Sequence, residues 1–278
     1  MLAKLLLVAI AVGILAWARK ATPASNKSGN RFLGEVSANE RMESKDGETL
    51  TVASFNIQTG KSDQGRRDIL ASAKVLQNVD LAGVQEVYAP SLLNLVGLGK
   101  PQTQSLADYG GFAWLFSATR RRWLREHRGN AILSKLTVLN WRIEMLPDQS
   151  GKSYRNMTIA ELEWQGRPFH FINTHLHTRQ GKAEQLDVVM REFAKYPTAI
   201  LVGDFNSKRD MPELNEALKN VDITDAIGVS GASDAAKSDD VGRIDWILTK
   251  GFNIESGRAL GKGVSDHPYY EVSLNFEL

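Results

Sequence analysis

Polar and apolar positions alternate over residues 50–57 (LTVASFNI), and residues 81–87 (LAGVQEV) form a short apolar run. Both patterns predict strands. Between them, residues 66–78 place Ile69, Leu70, Ala73 and Leu76 at the spacing of one helical face. Further strands are predicted over residues 130–134, 137–143, 158–164 and 168–175. An amphipathic helix comes next over residues 180–196, with Leu186, Val189, Met190 and Phe193 on one stripe. The apolar run 198–202 predicts a buried strand, and residues 211–220 a helix with Pro212 in its first turn. Strands over residues 243–249 and 269–276 complete the pattern. Roughly ten strands with a few interspersed helices predict an α/β domain rich in sheet. It starts near Thr49 and occupies residues 49–278.

The amino-terminal stretch differs. Residues 5–18 (LLLVAIAVGILAWA) are apolar all round. The run is shorter than the ~20 residues that span a bilayer and matches the length of a signal-peptide core. Ala16, Trp17 and Ala18 supply the small-x-small pattern of a cleavage site, so residues 1–18 are expected to be a signal peptide or a retained membrane anchor. Lys4 precedes the run while Arg19, Lys20 and Lys27 come after it, a bias that does not favour export of the downstream chain. Residues 19–48 read as a linker and charged lead-in. The expected location is the cell envelope: periplasmic, secreted, or held at a membrane through residues 1–18.

Composition narrows the chemistry. The 278 residues include no cysteine. This excludes disulfides, thiolate zinc sites and a cysteine nucleophile. Any metal must be held by oxygen or imidazole, which favours Mg²⁺, with Mn²⁺ or Ca²⁺ as substitutes. The net charge of +2 is too balanced to imply a polyanionic partner by itself.

Several predicted strands end in polar residues. Asn56 comes late in SFNI, Glu86 in LAGVQE, and His175 ends FHFINTH. Asp204 and Asn206 follow AILVG, Asp245 sits inside RIDWIL, and Asp266 and His267 precede the last strand. Singly, each has an ordinary role as a cap, turn residue or surface charge. Asp245 fits such a role least, because a carboxylate between Ile244 and Trp246 needs a partner or a metal. Together they suit phosphoester hydrolysis, which needs a divalent ion, a group to orient or deprotonate water, and donors around the phosphoryl oxygens. Asp204 and Asn206, two apart, can face the same way if the chain stays extended, whereas Asn206 taken singly reads as a turn residue.

Seven blocks carry a resemblance: SFNI, VQEV, GNAILSK, NTHL, VGDFNS, RIDWIL and SDHPYY, in that order over roughly residues 49–278. They resemble the signature blocks of the endonuclease/exonuclease/phosphatase superfamily. The resemblance implies a deoxyribonuclease I-like four-layer αββα sandwich with two mixed β-sheets, its site at one end of the sheets. It further implies metal ligation by Glu86 with Asn56 beside it and Asp266 contributing. Asp204 would act on the attacking water, and Asn206 would help hold the phosphoryl group. His267, paired to Asp245, would contact the scissile phosphate, and His175 resembles a second histidine of the deoxyribonuclease and sphingomyelinase branch. The abasic-site repair branch usually has an acidic residue where this chain has Gln58, and it lacks the counterpart of His175. Both departures argue against a repair enzyme.

For the substrate, residues 118–130 (ATRRRWLREHRGN) place five arginines around Trp123. A phosphate-gripping loop and a solvated basic loop explain this stretch equally. Arg128, Asn130, Trp123 and, on a separate strand, Arg155 are the candidate contacts to substrate phosphate. The implied activity is Mg²⁺-dependent hydrolysis of a phosphodiester, in nucleic acid or in a phospholipid headgroup. The alternatives are a phosphomonoesterase of the same fold and a membrane-tethered module that binds a phosphorylated ligand without cleaving it. Nothing in the sequence identifies a protein partner.

Overall fold

The computed structural model describes residues 2–34, 49–90, 100–121, 126–148, 151, 154–179, 181–232 and 242–277. Two seven-stranded mixed sheets stack face to face. The first contains β1 (Thr22–Pro23), β3 (Leu50–Asn56), β4 (Leu81–Ala89), β5 (Ala113–Arg121), β6 (His127–Ser134), β13 (Phe252–Leu260) and β14 (Tyr269–Phe276). Its order is β1-β5-β6-β4-β3-β14-β13. The second contains β2 (Lys27–Gly29), β7 (Thr137–Met145), β8 (Asn156–Trp164), β9 (Arg167–His175), β10 (Ala199–Asp204), β11 (Thr224–Asp225) and β12 (Asp245–Lys250). Its order is β11-β12-β10-β9-β8-β7-β2. Each sheet has one parallel pair at its centre, β3 with β4 and β9 with β10, and β10 is buried along its whole length.

Three apolar layers account for the sandwich. Between the sheets pack Val52, Leu81, Ile132, Phe171, Val202 and Ile247. On the outer face of the first sheet lie α2 (Ile69–Leu76) and α3 (Gln102–Gly110), which bury Ala73, Leu76 and Leu106 against Phe55 and Val84. On the outer face of the second lies α4 (Lys182–Ala194), whose Leu186, Val189 and Phe193 pack on Leu201 and Trp246 beside α5 (Pro212–Ala217). A short α6 (Ala226–Val229) closes one edge. Asp68 caps α2 through Leu70 N–H at 3.0 Å and Ala71 N–H at 3.2 Å. The cap starts the helix three residues later than its periodicity suggests and leaves Leu70 51 % exposed, off the buried face.

Two sequence expectations change. The residues after 19 are not linker throughout: β1 pairs with β5, and β2 pairs with β7, so this segment clasps an edge of each sheet. Short strands supplied by Thr, Pro, Lys, Ser and Gly carry no hydrophobic period to read. The basic stretch is strand at its two described ends, because β5 runs on to Arg121 and β6 begins at His127, with Arg120 opposite Arg128. Trp123 lies outside the described residues. Helix α1 (Leu2–Arg19) covers the apolar amino-terminal run. Among the described residues no helix is long and apolar enough to cross a membrane.

Candidate active site

Asn56 closes β3, His175 closes β9 and Asp204 closes β10, while Asp245 opens the antiparallel β12. In register, Asp204 stands opposite His175 on one side and Asp245 on the other. The sheet thus sets three ionisable groups in a row, and the loop before β14 adds Asp266 and His267. Gly203 makes the row this tight. Its φ is +152°, and a Cβ there would lie 2.1 Å from the Thr174 carbonyl oxygen.

Glu86 reaches the same end from the first sheet. The β4–β6 register slips between Val84 and Val87, and Glu86 takes a left-handed φ of 56°. A bulge with a non-glycine residue at positive φ is strained and re-aims its side chain. Asn56 ties these groups together. Its Nδ2 donates to Asp204 Oδ2 at 3.0 Å and to Glu86 Oε1 at 3.4 Å, and stands 3.5 Å from His267 Nε2. Its Oδ1 accepts from Gln58 N–H at 3.0 Å.

His267 Nδ1 lies 2.9 Å from Asp245 Oδ2, and its Nε2 lies 3.7 Å from Asp204 Oδ2. Burial acts to lower its pKa, but the hydrogen bond and charge of Asp245, then Asp204 and Asp266, more than reverse this and raise it to about 9. His267 is therefore protonated at neutral pH. Asp204 moves the other way from an ordinary carboxylate: burial, then the Asp245 charge, raise it to about 7. His175 Nε2 contacts Asp204 Oδ2 at 3.3 Å. Complete burial, with Arg155 nearby, holds His175 neutral well below its usual pKa, so this contact is not an ion pair.

Asn206 takes the turn reading and not the extended one. Its φ is 48°, so the chain turns directly after Asp204 and Phe205. Its N–H donates to Asp204 Oδ1 at 2.9 Å and its Nδ2 to the Leu176 carbonyl at 3.0 Å. Asn206 thus fixes Asp204 and closes the turn. Asp266 Oδ2 accepts from Gln58 Nε2 at 2.7 Å, and Ser265 Oγ bridges the Asn56 carbonyl and Asp266 Oδ1. Sequence reasoning did not find this Gln58–Asp266–Ser265 brace. Its one available signal was an amide in a place that related sequences fill with an acid.

A cleft of about 170 Å³ opens beside Glu86 and His175, lined by Arg120, Arg128, Tyr154 and Arg155. Arg155 Nε is buried and unpartnered among the described residues. Burial lowers its pKa, against the opposing pull of Asp204 and Glu86. Arg128 pairs loosely with Glu126 at 3.3 Å. Asn130 borders the cleft, but its Nδ2 donates to Asn156 Oδ1 at 3.1 Å, so it bridges the sheets. His177 sits in the loop after β9, where its Nδ1 accepts from Arg179 N–H, and His170 stacks on Tyr196.

The residues present fit a divalent cation. Glu86 supplies a carboxylate aimed into the site, with Asn56 adjacent, and Asp245 Oδ1 is buried without a hydrogen-bond partner among the described residues. Asp204, Asp245 and His267 also bring one ligand atom each within 4.8 Å of one another. Protonated His267 is a donor and not a ligand, which places the better ligand set on the Glu86 side.

The model of the Endonuclease/Exonuclease/phosphatase family matches residues 53–267. The chain belongs to this family. Members of the fold are recognisable among solved structures. A family protein from Beutenbergia cavernae superposes with a TM-score of 0.68 at 19% identity, over 82% of this chain and 72% of that one. A mannosyl-6-phosphatase from Bacteroides thetaiotaomicron gives a TM-score of 0.63 at 18% identity, over 82% and 100%. D. rerio TDP2, complexed with single-strand DNA product, gives 0.59 at 17%, over 82% and 99%. At these identities the superpositions establish a shared deoxyribonuclease I-like sandwich. No curated protein sequence matches the chain.

Proposed function

We propose that this family member is a Mg²⁺-dependent phosphohydrolase that cleaves phosphodiesters. The observation that carries the reading is the convergence, at one end of two sheets, of the His267–Asp245 pair on Asp204 and of Glu86 on Asn56.

Asp204, buried and held by Asn56 and Asn206, has the raised basicity that lets it orient water and accept its proton near neutral pH. The water oxygen bonds to phosphorus as the ester phosphorus–oxygen bond breaks, and the departing alkoxide is reprotonated by solvent. Protonated His267 donates to a phosphoryl oxygen, with Asp245 holding its charge and ring orientation. Neutral His175 and Arg155 flank the cleft as further donors. Glu86, with Asn56 and Asp266 at its side, would hold the ion, which when bound supplies charge neutralisation at the phosphoryl oxygens.

A non-catalytic phosphate-binding module is disfavoured, since no residue type the reaction calls for is missing from this end of the sheets. The test is hydrolysis of bis-p-nitrophenyl phosphate with and without EDTA. Asp204→Ala and His267→Ala are expected to abolish the EDTA-sensitive rate while the far-ultraviolet circular dichroism stays unchanged. Full activity in either variant would remove the assignment.

A further inference from the structure

Helix α1 exposes apolar side chains all round. Leu5, Leu6, Leu7 and Val8 are 60%, 62%, 66% and 61% exposed, and four successive positions sweep most of a helix circumference. Val12, Ile14 and Trp17 are similarly open. A protein groove recognises one stripe of a helix, at positions three and four apart. A helix apolar on every side is covered by a medium that surrounds it. Lys4 at one end and Lys20 at the other, with Trp17 beside Lys20, match the polar and aromatic ends of a helix bedded in lipid.

The tether to the catalytic domain is short and attached at a particular place. α1 ends at Arg19, and Thr22–Pro23 already pairs with β5, Thr22 opposite Arg121 and Pro23 opposite Arg120. Ala24 N–H then donates to the Thr119 carbonyl at 3.1 Å. Thr119 and Arg120 line the cleft beside Glu86 and His175. Farther along the chain, Asn26 Oδ1 accepts from Met145 N–H at 2.9 Å and β2 joins β7, so the segment is pinned to both sheets. The chain from Arg19 to Pro23 reaches at most about 14 Å. Whatever holds α1 therefore lies next to the arginine-lined mouth of the site.

We infer that α1 beds in a lipid bilayer and that its tether holds the cleft against the headgroup layer, so that the phosphodiester cleaved belongs to a membrane phospholipid. This rests on the phosphodiesterase reading above. The headgroup phosphate enters between Arg120, Arg128 and Arg155. Water oxygen bonds to its phosphorus, the ester bond breaks, and solvent reprotonates the departing alkoxide.

The test uses the full chain with vesicles of phosphatidylcholine and phosphatidylglycerol at 3:1, scoring co-sedimentation, release of phosphorylated headgroup, and hydrolysis of soluble bis-p-nitrophenyl phosphate. The protein is expected to pellet with vesicles and to release headgroup. A Leu7→Asp/Val12→Asp variant should remain in the supernatant and lose at least tenfold of the vesicle rate, with its soluble rate intact. A Gly-Ser spacer of about ten residues inserted after Lys20 should keep vesicle binding yet lower the ratio of vesicle to soluble rate. The inference is overturned if the full chain does not pellet, or if the double variant or the spacer variant cleaves vesicle lipid at the parent rate. A mature protein beginning at Arg19, or cleavage of plasmid DNA or RNA with vesicle lipid untouched, overturns it equally. Absence of soluble hydrolysis in the parent would instead strike the phosphodiesterase reading, leaving vesicle binding to judge the tether.

Discussion

Asp245 holds His267 from behind: its Oδ2 lies 2.9 Å from His267 Nδ1, while His267 Nε2 faces Asp204. One carboxylate therefore sets the protonation of two neighbours, raising His267 to about 9 and helping raise Asp204 to about 7. Asp204 must be ionised to accept a proton, so activity should rise as pH passes through about 7. His267 must stay protonated, so activity should fall as pH passes through about 9. In Asp245→Asn both limbs should move to lower pH, since burial, which lowers His267, is left with less to oppose it, and Asp204 loses a repelling charge. The maximal rate should drop by about 10²–10⁴-fold. The kcat/KM profile on bis-p-nitrophenyl phosphate checks this, and a basic limb that stays at 9 in the variant would exclude Asp245 as its cause.

Glu86 is re-aimed at the bulge, where its backbone φ is 56°. Glu86→Gln keeps the shape and removes the charge. Mg²⁺ affinity should fall by at least the 10–100-fold that loss of even an outer metal partner costs. The rate at saturating Mg²⁺ should also drop, and the Mg²⁺-induced rise in Tm should disappear. Calorimetric titration of the protein with Mg²⁺ alone measures the first effect without reference to turnover. Equal affinity in the parent and Glu86→Gln would move the ion to the Asp204, Asp245 and His267 group.

Gln58 braces Asp266 through a 2.7 Å hydrogen bond. Gln58→Glu replaces that donor with a second carboxylate. In EDTA the variant should lose about 1 kcal/mol, or about 2–4 °C in Tm, because the hydrogen bond is lost and two like charges meet. Added Mg²⁺ should recover the difference, since a cation between the two oxygens converts repulsion into ligation. Melting curves in EDTA and in Mg²⁺ decide it, and an equal deficit in both would show that Asp266 has no access to the ion.

The sequence displays the parts of this fold whose physics is local. Residues 81–87 and 198–202 read as strands because burial on both faces leaves a mostly apolar run, and Asp245 stands out against such a background. β13 escapes such a reading because it is an edge strand with exposed polar positions (FNIESGRAL), and α3 because QTQSLADYG has little apolar stripe to show. β5 does alternate buried and half-buried positions, but its arginine-rich end reads as loop. The site residues are legible as strand-end polar groups in recognisable blocks, while their pairing is not. Asn206 folds back on Leu176 through a left-handed turn, and Asn130 spends its amide on Asn156, a contact set by how two sheets align.

Gly203 tests how finely that alignment is drawn. It lies between Val202, in the inter-sheet core, and Asp204, in the site. A methyl group at this position would meet the Thr174 carbonyl oxygen at 2.1 Å, on a backbone at φ +152° that L-residues seldom adopt. Gly203→Ala must push β10 away from β9 where His175 and Asp204 face each other. The strain should cost roughly 1–3 kcal/mol of stability, read as a lower urea midpoint with an unchanged m-value. Because the shift falls on Asp204, activity should drop on the order of 10²-fold even where the protein is fully folded. A variant that is destabilised but turns over at the parent rate in the absence of urea would show that Asp204 is positioned by its Asn56 and Asn206 contacts alone.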